Sequence, residues 1–416
     1  MGLLKFNFWG RSEAAQKMPI LAMAGDRGHF NGFDDPAFKE FIRSGGASAT
    51  ASGARVTPKS AMKNTTVFRC VSLVSYSIGM LPLHLQKTDS KENAKDHPLY
   101  KILHRKPNSW QTAFEFRSYM QQMALEYGNA YARIVRSGSR IISLVPLQPN
   151  RVSVSQRPDW SLEYKIDREN KGPVVLEQSD IFHLRNGMSE DGISGLSIVS
   201  QAAEAIGLAQ QAERASARLF ENGMMVGAML KHPGKLSAEA YERLKSSLAD
   251  REGAENAYKT LILEEDMKAE AVAQSGRDSQ ATEQRKLQIE EIARPFGVPR
   301  PLLSVDDTSW GSGIDVLGQL FVRYGLNPWF EAWEQAIARS LLSDDDAEIY
   351  EAKFNAGALL RGSMKDQAEF FAKGLGSGGH QPWLHQQEVR DWMDLPERDD
   401  LPPAMGAQKE LANESA

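Results

Sequence analysis

Apolar positions recur at steps of three and four through Val67, Val71, Val74 and Ile78, which predicts a helix over 66–80 that Pro82 stops. Leu83, His84 and Leu85 then open an extended segment. Thr112 and Glu115 have the spacing of a capping box and predict a helix ending near Tyr127. After Gly128 and Asn129 the pattern alternates over Ala130 to Val135 and again over Ile141 to Leu147, a hairpin turning at Gly138. Val152 to Val154, Tyr164 to Ile166 and Ile181 to Leu184 read as further short strands. Residues 57–190 are therefore expected to form one α+β domain.

The pattern then changes. Between 196 and 221 the apolar positions are mostly alanine (Ala202, Ala203, Ala205, Ala209, Ala212, Ala215 and Ala217), with Ile206 and Leu208 as the bulky exceptions. Alanine favours a helix and allows close helix approach. Such a helix has little to bury on its own and is expected to pack against other copies of itself. Ala205 and Ala209 lie one turn apart on one face, with Ala212 and, on the next long helix, Leu287 as further interface candidates. Strands at Val226 to Leu230 and Lys259 to Leu263 flank a helix over Ser237 to Ala249, a βαβ-like insert. A second long helix is expected over Ser279 to Arg294, ended by Pro295, Pro299 and Pro301. The polar, glycine-bearing stretch Ser304 to Gly313 precedes a third helix over Ile314 to Leu342, bent at Pro328. Asp344 to Phe354 reads as a strand, and two short helices close the fold around Phe370, Trp392 and Met393.

Composition narrows the classes. The net charge is only -5, from 49 basic and 54 acidic residues, too little positive charge for a coat that grips DNA by counterion release. Charge is uneven, however: residues 1–60 carry eight basic against five acidic side chains, and 344–416 seven against fifteen. A solvated acidic tail is the ordinary reading, and an anionic mouth that repels a polyanion the alternative. Residues 44–54 are eleven consecutive small residues, expected to be a flexible linker after an arm with Phe6, Phe8, Trp9, Phe30, Phe33, Phe38 and Phe41 as aromatic anchors. The single cysteine, Cys70, sits on an apolar helix face and reads as buried and inert.

No membrane span is expected. The most apolar stretch, 67–85, is interrupted by Arg69, Pro82 and His84, and the N-terminus lacks the apolar core of a secretory signal. A soluble intracellular chain, or part of a particle assembled inside a cell, fits these patterns. Catalytic chemistry is also missing. There is no phosphate-binding loop and no nucleophile elbow. His380 and His385 lack a third ligand at useful spacing, and the runs Glu264 to Asp266 and Asp344 to Asp346 read as solvated turns. No metal and no cofactor is expected.

The order of motifs resembles the portal proteins of long-tailed double-stranded DNA phages and gene transfer agents. The resemblance spans roughly 57–395 and rests on many short stretches in one order. They begin with Val67-Phe68-Arg69-Cys70-Val71, Ile78 to Leu83, His97 to Leu103, Pro107-Asn108 and Thr112 to Phe116. Gly128-Asn129-Ala130-Tyr131-Ala132, Leu144 to Pro149, Ile181-Phe182-His183-Leu184-Arg185 and Gly192-Ile193-Ser194-Gly195-Leu196-Ser197 follow. Phe220 to Gly223, Glu290 to Pro299 and Leu359 to Gly362 complete the set.

The resemblance implies an α+β portal fold, assembled as a dodecameric ring around an axial channel. It implies an arm over 1–56, a wing over 57–195 with a strand at 344–355, and stem helices over 196–222 and 279–299. It further implies a clip over 223–278, a tunnel loop over 300–313, a long helix over 314–343 behind the channel, and a crown with acidic tail over 356–416. Ser304, Asp306, Asp307, Thr308, Ser309, Trp310, Gly311 and Ser312 would face the duplex. Glu239, Glu242, Arg243, Lys245 and Arg251 would meet the motor and adaptor at the clip rim, where charges steer association. The implied partners are other copies of the chain, double-stranded DNA held non-specifically, the terminase large subunit, the head–tail adaptor and the major capsid protein, with no membrane. The implied location is the portal vertex of a capsid assembled in the host cytoplasm, and no enzymatic activity is implied. Two alternatives stay open: another head–tail adaptor or minor capsid component, and, more remotely, a nucleic-acid-processing enzyme.

Overall fold

A computed structural model describes residues 50–168, 171–221, 228–231, 237–249, 268–271, 275–304, 313–355, 364–379, 381–393, 396 and 398. The chain divides into two compact units, Met1–Gly46 and Ala47–Ala416, and every described residue belongs to the second. The small-residue stretch is not wholly a linker. Thr50 and Ala54 are buried and bonded to each other, the Thr50 hydroxyl donating to Ala54 O at 2.8 Å.

After a one-turn helix α1 (Pro58–Ala61) comes α2 (Thr65–Met80), capped by Asn64, whose side chain accepts from Thr66 N and Val67 N. Its buried face carries Val67, Cys70, Val71, Val74 and Ile78, as the periodicity predicts. Burial pushes the Cys70 thiol up to about 12, so it is inert. Leu81, before Pro82, is extended and ends the helix. Strand β1 (Leu83–Lys87) and helix α3 (Pro98–His104) lead to α4 (Ala113–Tyr127), where the Thr112–Glu115 capping box is present and Gly128 ends the helix at φ 78°. The buried Arg117 of α4 donates to Gly79 O at 2.8 Å and Leu103 O at 3.0 Å. One cation thus satisfies C-terminal carbonyls of both α2 and α3, the end of a helix that favours positive charge.

Strands β2 (Asn129–Ser137) and β3 (Arg140–Leu147) form the expected hairpin, and β2 also pairs with β7 (Ile181–Arg185). Between them β4 (Val152–Gln156), β5 (Leu162–Arg168) and β6 (Lys171–Glu177) make a separate antiparallel sheet with its own small core of Tyr131, Tyr164, Ile166, Leu176 and Ile181. The sequence pattern does not single out β6.

The alanine-rich segment is two helices, α5 (Ile198–Gln201) and α6 (Ala203–Glu221), stepped at Ala202. In the insert β8 (Ala228–Lys231) precedes α7 (Ala238–Ala249), and β9 (Lys268–Ala271) pairs antiparallel with β8, Ala228 opposite Ala271. This corrects the βαβ-like expectation, which implies parallel strands; the strand expected at Lys259 to Leu263 lies outside the described residues. The second long helix, α8, spans Ser275–Ala293.

The third helix is not one bent rod. Helix α9 (Gly313–Leu320) passes through a π-helical stretch, Phe321–Leu326, into α10 (Asn327–Leu341). Pro328 closely follows the π stretch in a continuous helical run and withholds an N–H from the turn before it, so the proline and the π stretch interrupt the rod at one place. Asp344 to Ile349 is also helical, contrary to the expected strand. Ser343 caps this α11 (Asp344–Ile349), and three aspartates occupy the first turn, the end that favours anions. Only β10 (Tyr350–Phe354) is extended, pairing antiparallel with β1, Leu85 opposite Ala352. Helices α12 (Met364–Gly374) and α13 (Gln386–Trp392) follow.

The main core is therefore not contained in 57–190. It is completed by α10 and β10. Trp333 is 1% exposed, its indole donating to the buried Gln121 Oε1 at 2.9 Å, and its ring meets Phe182 of β7 and Phe354 of β10. Chain between Ile198 and Leu326 is an excursion whose two ends, with Ile206 and Ala209 on one and Ile292 and Ala293 on the other, belong to this core.

Candidate functional site

Three sequence motifs meet where the excursion leaves. Gly128 lies so close to Gly195 that a Cβ would collide with its carbonyl, and Asn186 N donates to Gly128 O at 2.9 Å. Asn129 Oδ1 accepts from Gly195 N at 2.9 Å, and Asn129 Nδ2 donates to Gly195 O at 3.0 Å. A backbone N–H can only donate, so that oxygen must accept, and His183 Nε2, 2.9 Å away, is the protonated ring nitrogen. The Tyr164 hydroxyl then donates to His183 Nδ1 at 3.2 Å, and Arg339 Nη2 donates to His183 O at 2.8 Å. Burial, reinforced by Arg185 and Arg339, lowers the His183 pKa to about 3, so the ring is neutral. Ser197 finishes the exit, donating to Glu126 O and capping α5.

The return is equally close. Gly297, in the left-handed region at φ 66°, abuts Gly325 in the π stretch, where a Cβ would lie 2.9 Å from Gly297 O. Arg300 pairs with Glu290 at 3.6 Å and Arg69 Nε reaches Leu302 O at 3.4 Å, fixing the approach to Ser304, itself left-handed at φ 59° and exposed. The segment Ser304 to Gly313 thus starts on anchored backbone. Of its predicted contact residues only Ser304 is described; Asp306, Asp307, Thr308, Ser309, Trp310, Gly311 and Ser312 lie outside the described residues.

Helices α6 and α8 are half committed to their own chain. Ile206, Ala209, Ile292 and Ala293 are buried, and Gly207 packs on Thr50 so tightly that a Cβ would collide with it. Ala209, expected to face a neighbour, is instead part of the chain's own core. Ala205 is half-buried, while Ala212, Leu208 and Leu287 are exposed. A groove of about 640 Å³ beside them is lined by Ala205, Leu208, Glu291 and Arg294. Among the clip candidates Glu239, Glu242, Arg243 and Lys245 are exposed on α7, and Arg251 lies outside the described residues.

The sequence profile of the family described as Phage portal protein matches residues 65–394. The portal protein of Enterobacteria phage HK97 is 32% identical over 350 residues, covering 82% of this chain and 80% of its own. The chain belongs to the phage portal protein family. A probable portal protein of Streptomyces phage phiC31 is 31% identical, over 80% of this chain and 75% of its own. Among solved structures, a chain in the neck of an empty gene transfer agent particle, computed with C6 symmetry, superposes with TM-score 0.60 at 23% identity, covering 87% of this chain and 100% of that one. An HK97-family portal protein from Corynebacterium diphtheriae gives TM-score 0.52 at 19% identity, over 73% of this chain and 96% of its own. These solved structures share the α+β fold.

A portal protein occupies a capsid vertex as a head–tail connector, a structural rather than an enzymatic family role. No group of three metal-ligating side chains occurs among the described residues, and no described helix is long and apolar enough to cross a membrane. Sequence reasoning missed several exposed apolar side chains of this portal protein: Phe68, Tyr76 and Met80 on α2, and Val316, Leu320 and Tyr324 near the return. Their spacing carried the signal for α2, since Phe68, Tyr76 and Met80 recur at multiples of four on the face opposite Val67, Val71 and Val74.

The neutral His183 generates a pH prediction. Its folded pKa lies below the ordinary 6.5, so the unfolded state binds the extra proton. Its stabilising effect is complete above about pH 6.5 and is lost as pH falls towards about 3, at up to about 1.4 kcal/mol per pH unit. His84, lowered to about 4 chiefly by burial, adds a parallel loss. Urea midpoints measured from pH 7 to pH 4 are expected to fall less steeply in His183→Gln than in the wild type. Parallel curves would contradict the assignment.

Proposed function

We propose that the chain forms a dodecameric ring at the portal vertex, with an axial channel through which double-stranded DNA is packaged and ejected. The supporting observation is the surface of α6 and α8. These helices bury one side in their own chain and leave Leu208, Ala212 and Leu287 to solvent beside a groove. A second copy that docks head to tail on such a surface leaves its own uncovered, and a closed ring then satisfies every copy. The neck of a native gene transfer agent particle, computed with C12 symmetry, contains a chain of the same fold, with TM-score 0.58.

In this reading residues 57–195 with 344–355 are the wing, and 196–222 with 279–299 the stem. Residues 223–278 are the clip, docking the terminase large subunit and later the head–tail adaptor through Glu239, Glu242, Arg243, Lys245 and Arg251. Residues 300–313 are the tunnel loop, 314–343 the helix behind it, and 356–416 the crown and acidic tail, with the major capsid protein around the outside. Assembly takes place in the host cytoplasm. The ring carries out no reaction and needs no cofactor; it guides DNA, and a chain of net charge -5 holds phosphates weakly enough to let a duplex move.

Three variants test this. Leu208→Glu with Leu287→Glu places charge on the exposed stem surface and is expected to abolish rings in size-exclusion chromatography and electron microscopy while leaving the monomer's melting temperature unchanged. Intact rings would move the interface elsewhere. Ala209→Glu, by contrast, is expected to unfold the chain itself, since it buries an unpaired charge in the core at a cost of several kcal/mol. Deleting Thr308 to Gly311 is expected to permit capsid assembly and to lower the amount of genome packaged or retained. Particles filled with full-length DNA would show that this loop neither guides nor holds the duplex.

A further inference from the structure

The turn between β4 and β5 holds a tryptophan in an unusual place. Trp160 adopts the left-handed region at φ 68°, uncommon for a bulky residue, and its side chain is 79% exposed. The turn is well made, with Arg157 N donating to Ser161 O at 2.8 Å, Trp160 N to Arg157 O at 3.0 Å and Gln156 Nε2 to Trp160 O at 3.2 Å. The indole is thus displayed on the rim of a cavity of about 240 Å³, with Tyr164, His183, Arg185 and Arg339 among its lining residues.

The charge in that cavity is unbalanced. Arg185 Nη1 donates to Gly192 O and Ile193 O, both at 2.8 Å, and Arg339 Nη2 to His183 O. All three acceptors are neutral carbonyls. Neither guanidinium has a carboxylate within ion-pair distance among the described residues. Asp191, the acid near the cluster, is occupied by Ile193 N at 2.8 Å, Ser194 N at 2.7 Å and the Ser189 hydroxyl at 3.0 Å. His183 is neutral, Tyr164 is a phenol, and no side chain lining the cavity is a carboxylate. Each guanidinium has five N–H donors in a planar fork and has spent few of them. Burial and the neighbouring Arg185 both lower the Arg339 pKa, the effect of two like charges held near each other.

We propose that this cavity receives a side-chain carboxylate from an acidic protein segment, with an apolar residue of the same segment lying across Trp160. A planar carboxylate matches the guanidinium fork. The indole on the rim offers broad apolar contact, which suits a peptide side chain and has no counterpart on a phosphodiester rail. The site is built from the β4–β5 turn, β7 and the C-terminal part of α10, and it goes beyond the ring, channel and clip reading.

The test uses the full-length protein and a labelled short peptide bearing Glu and Leu, acetylated and amidated so that its only carboxylates are side chains. Fluorescence anisotropy at fixed ionic strength is expected to show saturable binding. Arg185→Lys keeps the charge and loses the fork, and is expected to weaken binding about tenfold, the loss of one charge-assisted bidentate pair. Trp160→Ala, at an exposed position that leaves the fold intact, is expected to weaken it severalfold. Acetate is expected to compete better than inorganic phosphate or a DNA duplex at matched ionic strength. The proposal is overturned by absence of binding, by equal binding in wild type and Trp160→Ala, or by phosphate or duplex competing better than acetate, which would make the ligand a phosphate.

Discussion

The indole of Trp333 closes a core whose walls include α4 and β7, more than a hundred residues away in sequence. It is all but fully buried, it bonds Gln121 of α4, and it touches aromatic rings of β7 and β10. Removing a buried tryptophan costs about 3–5 kcal/mol, a large fraction of the stability of any domain. The consequence is architectural. Helices α6 and α8 and the pair β8–β9 lie between Ile198 and Leu326, so they are carried by a body that is completed only when the chain has come back.

Both roots of that excursion are held by backbone proximity rather than by bulky side chains. Gly128 meets Gly195 at the exit, and Gly297 meets Gly325 at the return. Asn129 then satisfies Gly195 in both directions, and His183, Tyr164 and Arg339 complete a polar network with its donors and acceptors assigned. A fully satisfied buried network is stiff, whereas a partly satisfied one is costly. The interior of the excursion has the opposite character. Helix α6 from Ala212 to Arg218 is exposed on every described side chain, so this part of the molecule owes its environment to what surrounds it in an assembly. A rigid body that carries helices with an uncovered side is a physical basis for ring formation.

Local features were legible in the sequence because local physics sets them. The Thr112–Glu115 box, the stop at Pro82, the hairpin turning at Gly138 and the buried side of α2 all appear where the pattern places them. Misreadings arose where two signals competed. The run Asp344 to Asp346 discouraged a helix, yet Ser343 with Asp346 three residues on is a cap, and the aspartates favour the first turn. Pro328 marked the place of the interruption, but the π stretch that precedes it has no signal in the residue pattern. Ala209 showed that an alanine face does not reveal whether its partner belongs to the same chain or another. The meeting of Asn129, His183 and Gly195 was invisible for a different reason. Each motif stood out alone, but only tertiary structure brings residues so far apart in the chain to one point. The resemblance of the motif order to portal proteins was the part of function that sequence carried furthest, because it summed many weak local signals.

Amide hydrogen exchange on the full-length protein tests most directly whether the returning segment completes the core. Strands and helices that share one core open together, at one free energy. The most protected amides of α4, β2, β7 and α10 are expected to exchange as a single cooperative unit at the highest opening free energy in the chain. Exchange of α10 at a distinctly lower free energy, while α4, β2 and β7 stay protected, would mean that the core stands without Trp333 and would contradict the account.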